Sequence, residues 1–119
     1  MKIYLPYNFL NWNEYINVER ANKYHANNIK QEEKRLVGWA TKNNTYKGEY
    51  PIEIVFKPHF KDKRQDLDNY RMKGILDGLV AFGVIKNDNL KHIQRIVLEP
   101  IFDQKNGVDI EINVLNSQM

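Results

Sequence analysis

Asp66-Leu67-Asp68-Asn69 is followed by Lys73 and, after an apolar-periodic stretch, by Asp88 in Ile85-Lys86-Asn87-Asp88-Asn89. Read as an extended loop entering a helix, Asp66 and Asp68 point the same way, because strand-like side chains alternate with period two. They can then share one hard cation. Three carboxylates, with no cysteine and no histidine pair, suit Mg²⁺, or Mn²⁺ as a substitute, rather than zinc. Such an ion binds phosphate oxygens, polarises phosphorus and acidifies a bound water, which is the chemistry of phosphodiester hydrolysis. Counting 100° per residue places Asn69, Lys73 and Asp77 in one polar stripe, so Lys73 projects past the helix start toward a phosphate. A cation and the helix N–H groups there stabilise charge developing on the phosphoryl group. Asp88 joins this group only if the chain folds back along the helix or the third strand lies beside it, which residues 84 to 95 are long enough to allow.

Each piece has a plainer reading. Asp68 alone is an ordinary helix cap, Lys73 with Asp77 alone is an i, i+4 pair on a solvated face, and Asp88 alone is turn chemistry. His25, His59 and His92 are isolated and read as surface or contact residues. An EF-hand starting at Asp66 would need glycine where Arg71 stands, and its interior here is apolar-periodic. Phosphatases with a nucleophilic Asp-x-Asp place it after an early strand of a larger doubly wound domain.

Charge distribution says more than total charge. The 119 residues carry 18 Lys+Arg and 15 Asp+Glu, a net +3. Lys57, Lys61, Lys63 and Arg64 against Asp62 account for all of it, and the remaining residues balance at 14 basic and 14 acidic. A basic run directly before an acidic pair serves a metal plus an anionic polymer. Lys57, Lys61, Lys63, Arg64 and Asn69 are therefore candidate DNA contacts, with Arg20, Lys23, Tyr24 and Lys30 as a second group that could touch backbone or stack on an unpaired base. The absence of cysteine excludes disulfide scaffolds, thiolate nucleophiles and Cys-ligated metal. No apolar run approaches the ~20 residues of a membrane span, and no secretory apolar core stands at the N-terminus, so a cytoplasmic location is expected.

The length suits one domain over 1–119. Lys2 to Pro6 reads as a first strand and residues 7–27 as turns with one short helical piece. A helix is expected near 28–41, capped by Asn28. Tyr50 to Pro58 alternates as a second strand. Met72, Ile75, Leu76, Leu79 and Val80 mark a second helix of about 14 residues, stopped by Gly83. His92–Phe102 and Val108–Val114 read as strands, and the Lys105-Asn106-Gly107 turn predicts that they form a hairpin. The expected fold is α/β in the two-layer α+β sense: a small mixed sheet, order β-α-β-α-β-β, with two helices packed on it.

Together, Asp66-Leu67-Asp68-Asn69, Lys73-Gly74-Ile75-Leu76-Asp77-Gly78-Leu79 and Gly83-Val84-Ile85-Lys86-Asn87-Asp88 resemble the signature of the RusA family of Holliday-junction resolvases, often encoded by phages or prophages. The resemblance is firm over 57–93 and looser toward both ends. It implies a homodimeric, Mg²⁺-dependent endodeoxyribonuclease that nicks four-way DNA junctions in pairs during recombination and repair, inside a bacterial or phage-infected cell, with no nucleotide cofactor. The implied metal ligands are Asp66, Asp68 and Asp88, and the implied catalytic lysine is Lys73. Two departures stand out. Lys73 lies one residue further from Asp-Asn than in the best-known members, a rotation of ~100° on a regular helix. The acidic pair is Asn87-Asp88, which keeps one carboxylate. Two other functions fit the same residues: a protein that binds branched DNA without cutting it, and a nuclease for flaps or forks.

Overall fold

Asn11 and Glu14 explain why a helix starts earlier than periodicity indicates. The Asn11 side chain accepts from the Glu14 N–H at 2.8 Å, and the Glu14 carboxylate accepts from the Asn11 N–H at 3.0 Å. This reciprocal box satisfies two donors that a helix start leaves unpaired. In the computed structural model, which describes residues 1–42 and 44–115, it opens α1 (Trp12–Ala21). Asn22 ends α1 and caps the next helix, its side chain accepting from the N–H groups of Tyr24 and His25. That helix, α2 (Lys23–Ala40), begins five residues before the expected Asn28. Residues 7–27 thus carry a whole helix and the first turn of another, and the described residues form three α-helices rather than two.

Among the described residues there are also five strands: β1 (Lys2–Leu5), β2 (Ile52–Phe60), β3 (Ile93–Leu98), β4 (Ile101–Phe102) and β5 (Val108–Val114). The third helix, α3 (Lys73–Ala81), joins β2 to β3. A helical crossover returns the chain in the same direction, and β3 accordingly lies parallel to β2, with Ile52 opposite Ile93. The order is β1-β5-β2-β3, with the short β4 also beside β2, so the sheet is mixed and the class α+β. The expected hairpin does not form. β5 pairs antiparallel with β1 and β2 instead, because Val108, Ile110 and Ile112 are all buried and need a central position. The expected His92–Phe102 strand is divided at Glu99-Pro100, where proline has no N–H to give to a ladder.

One sheet face packs on the helices. Leu5, Ile52, Ile54, Phe56, Ile110 and Ile112 meet Val37 of α2, Ile75 and Leu79 of α3, and Val84 and Ile85 beyond it. A Cβ at Gly78 would lie 2.7 Å from that of Val37, so glycine permits the close approach of α2 and α3. The other face carries cross-strand ion pairs, Lys57 with Glu111 and Arg95 with Glu53. Among the described residues no helix is long and apolar enough to cross a membrane.

Candidate active site

Past Phe60 the chain leaves the sheet through exposed residues 61–68 and reaches a 3-10 turn, Leu67–Asn69. Asp66 is extended, but Asp68 is the middle residue of that turn, so the period-two argument does not apply to it. Neither carboxylate acts as a helix cap: the turn has no side-chain cap, and α3 is preceded by Met72, which offers none. Among the described residues neither enters an ion pair. Two exposed acids with no structural duty therefore stand in front of a helix.

Lys73 is the first residue of α3 and is exposed, its Nζ 3.6 Å from an Asp77 carboxylate oxygen. Asn69 lies outside α3, which corrects the stripe predicted for Asn69, Lys73 and Asp77. Its side-chain oxygen accepts from the Asn13 N–H and so ties the turn to α1. The helix has nine residues rather than about 14, and Tyr70–Met72 is a non-helical step. The additional residue between Asp-Asn and Lys73 falls in that step, so the 100° rotation expected of a regular helix does not arise.

A buried pair that sequence reasoning missed fixes this step. The Arg71 guanidinium donates to the Glu33 carboxylate of α2, and its Nε donates to the Leu10 carbonyl at 3.1 Å. It also stacks 4.5 Å from the Tyr15 ring centroid of α1. One side chain thus joins both N-terminal helices to the segment that delivers Lys73. A signal was present: Glu33 shares the buried α2 face with Ala26 and Val37.

Asp88 lies elsewhere. Its loop is anchored beside the start of β2, where the Tyr50 hydroxyl accepts from the Lys86 N–H and the Ile52 N–H donates to the His92 carbonyl. Asp66, Asp68 and Lys73 follow the end of β2, where Tyr70 meets Phe60 edge to face. Nine residues of strand separate these ends, about 26 Å at ~3.3 Å per residue. The third strand does lie beside the second, but its parallel direction leaves Asp88 at the far end. Among the described residues no three His, Cys, Asp or Glu side chains form a metal-holding group. One chain does not bring the three acids together.

The basic segment also differs from expectation. Lys57 belongs to β2 and pairs with Glu111, and its amine is held above its usual range by that hydrogen bond. Arg64 pairs with Asp62, whose carboxyl the guanidinium holds below the usual range. Lys63 sits 5.2 Å over the Phe102 ring. Lys61 alone of the four enters no ion pair or cation–π contact among the described residues. Two of the four cations are thus ion-paired, one of them with a carboxylate of β5.

His59 is buried rather than superficial. Its Nδ1 is 3.0 Å from both Asp103 carboxylate oxygens and its Nε2 is 2.7 Å from Asp109. Through these contacts the ring clamps the end of β2 to β5 and to the segment after β4. Burial pushes the Asp103 carboxyl up, but hydrogen bonds from His59 and the Lys105 N–H outweigh this and hold it below its usual range. Glu111 is likewise lowered, by Lys57. Groups with depressed folded values stabilise the fold above their unfolded pKa, near 4, and lose that contribution as pH falls through the folded value. We expect Tm to drop as pH is lowered from about 4 toward 3, and Asp103→Asn to flatten part of that drop. A Tm that stays level in thermal melts across this interval would show that these contacts contribute nothing.

Comparison with known families supplies the class first: the matching family model is Endodeoxyribonuclease RusA, over residues 2–113. The chain belongs to the RusA family and is on that ground a nuclease that cuts DNA internally. None of the curated proteins compared matches it.

Proposed function

We propose that this protein is a structure-selective endonuclease that resolves four-way DNA junctions by paired phosphodiester cleavage, using Mg²⁺ and acting as a homodimer. The observation that carries this reading is the pair Asp66 and Asp68, exposed, engaged in no cap or ion pair, and at the same end of the domain as Lys73. All-oxygen donors suit a hard divalent cation, and their lack of other partners leaves them free to hold one.

When bound, that cation polarises the scissile phosphate and activates water. The chain's own groups do the rest. Lys73 places an ammonium group beside the developing phosphoryl charge, and Arg71 fixes the backbone from which Lys73 extends. Asp77, one turn along α3, holds the lysine in place between encounters. In this reading Asp88 is the third ligand and comes from a second copy, which is supported by its lying at the opposite end of β2 from the Asp66 and Asp68 of its own chain. Each site in the dimer then takes Asp66, Asp68 and Lys73 from one protomer and Asp88 of the partner subunit. Such sharing makes dimerisation a condition of cutting, which suits an enzyme that must nick two strands together.

A synthetic four-way junction incubated with the protein and Mg²⁺ should yield paired nicks, and a chelator should abolish them. Binding without cutting in either Mg²⁺ or Mn²⁺ would reduce the protein to a junction-binding module. Preferential cutting of flaps or forks would identify the other nuclease reading.

A further inference from the structure

Lys57 and Arg64 of the basic run are ion-paired, whereas Arg20, Lys23, Lys30 and Lys34 on the N-terminal helices enter no ion pair among the described residues and stand close together. On α2, Lys23, Asn27, Lys30 and Lys34 follow i, i+4, i+7 and i+11 spacing and share one helix face. They line two adjoining hollows of about 310 and 230 Å³ that meet at Tyr15, Glu19 and Lys30 and run between α1 and α2 to Lys73. Arg20 adds a cation, and only Glu19 and Asp77 bring carboxylates to the lining. Of these charges, only Lys73 and Asp77 pair with each other among the described residues. Beneath the groove Arg71 and Glu33 neutralise one another. The Tyr15 ring forms part of the floor, with Lys30 Nζ 5.4 Å from its centroid. The Lys30 amine is held above its usual range, chiefly by Tyr15.

We propose that this α1/α2 groove is a DNA-binding track: it takes the phosphodiester backbone of one strand along Lys23, Asn27, Lys30 and Lys34 and leads it to Lys73. The proposal rests on the DNA-cutting reading and adds where the strand enters. The stripe from Lys23 to Lys34 is ~16 Å long at 1.5 Å per residue, the length of four to five base steps at ~3.4 Å each. A groove in which cations outnumber carboxylates, as Arg20, Lys23, Lys30, Lys34 and Lys73 do Glu19 and Asp77 here, concentrates a polyanion, and lysines there engage phosphates without reading sequence. That is what a junction-selective enzyme requires of a site feeding its catalytic end.

The test is binding of a fluorescent four-way junction in Ca²⁺ or chelator across a salt series, with Lys30→Gln/Lys34→Gln against the wild type. Each phosphate contact contributes roughly 0.9 to the slope of log K against log salt. The double variant should lose between one and two from the slope magnitude and bind about tenfold more weakly at low salt. Lys23→Gln/Lys34→Gln, which spares the Lys30 contact with Tyr15, should behave similarly if the first variant folds poorly. Lys47→Gln/Lys91→Gln removes the same charge elsewhere and should leave the slope unchanged. An unchanged slope in both groove variants, an equal loss in the control, or a wild type that binds no junction overturns the track. The two readings fail separately: binding without cutting sinks the nuclease and leaves the track, whereas full cutting with an unaltered salt slope does the reverse.

Discussion

Asp68→Asn should abolish junction cutting while leaving binding intact or slightly improved. A metal-ion contribution worth several kcal/mol corresponds to roughly three or more powers of ten in rate. Asp68 caps no helix and joins no ion pair among the described residues, so the substitution should cost the fold almost nothing. Removing a negative charge from a surface that faces phosphates reduces repulsion, which is why affinity should not fall. The check has two parts, single-turnover cleavage of a four-way junction in Mg²⁺ and a gel-shift titration without it. Residual cutting within tenfold of wild type would show that Asp68 holds no essential cation. Asp66→Asn should behave the same way, because its carboxylate is equally free of structural work.

Glu33→Ala should cost the fold about 3–5 kcal/mol, because it leaves the Arg71 guanidinium buried without a counterion. Both side chains are almost wholly buried, at 5% and 3% exposure for Glu33 and Arg71. The loss is a large share of the roughly 5–15 kcal/mol that stabilises a domain of this kind. Glu33→Leu with Arg71→Met removes both charges together and should be less damaging than the single change, although it strands the Leu10 carbonyl that Arg71 serves. One Glu33 oxygen is itself buried without a hydrogen-bond partner, so the pair is a fastening that is harmful to break rather than a large net source of stability. Urea denaturation measures the difference. A single variant within 1 kcal/mol of wild type would mean that the pair is wetter or looser than its burial indicates. Where Glu33→Ala stays folded, cutting should fall more than junction binding, since Arg71 stands two residues before Lys73.

Much of the fold follows from pattern. Alternation in Val108–Val114, the apolar face of α3 and the strand over Tyr50–Pro58, which the structure carries on to Phe60, are read directly because burial there is one-sided and regular. The parts that do not follow depend on particular polar residues. The capping box at Asn11 and Glu14 starts a helix whose apolar pattern is weak, and Asn22 serves two helices at once. Glu33 interrupts the buried face of α2 with a charge that becomes intelligible only opposite Arg71. The hairpin expected around Lys105-Asn106-Gly107 fails because a turn signal does not say which strand the chain will meet. Here β5 meets β1 and β2, which leaves β3 beside the other side of β2.

The candidate site was legible in its chemistry and not in its assembly. Residue types at 66, 68, 73 and 88 suggest metal-assisted phosphodiester hydrolysis whether or not they are neighbours. Their separation along β2 emerges only from the parallel pairing of β2 and β3, a consequence of the α3 crossover. Conversely, the local charge excess at 57–64 looked like a DNA contact because sequence shows charges without their partners. Glu111, which neutralises Lys57, is 54 positions away in the chain. Charge counted in the folded molecule gives more weight to Arg20 of α1 and to the lysines of α2, of which the sequence offers Lys23 and Lys30 only as part of a second candidate group.

The most direct test is a mixed dimer of Asp68→Asn and Asp88→Asn chains, purified through two different tags and given a four-way junction in Mg²⁺. If each site draws Asp66 and Asp68 from one protomer and Asp88 of the partner subunit, one site in the mixed dimer loses both ligands and the other keeps all of them. Single nicks should then appear at a rate approaching that of a dimer of wild-type and Asp68→Asn chains, while neither variant alone cuts. Failure of the mixed dimer to nick, when the wild-type/Asp68→Asn dimer does, would contradict a site shared between two copies of the chain.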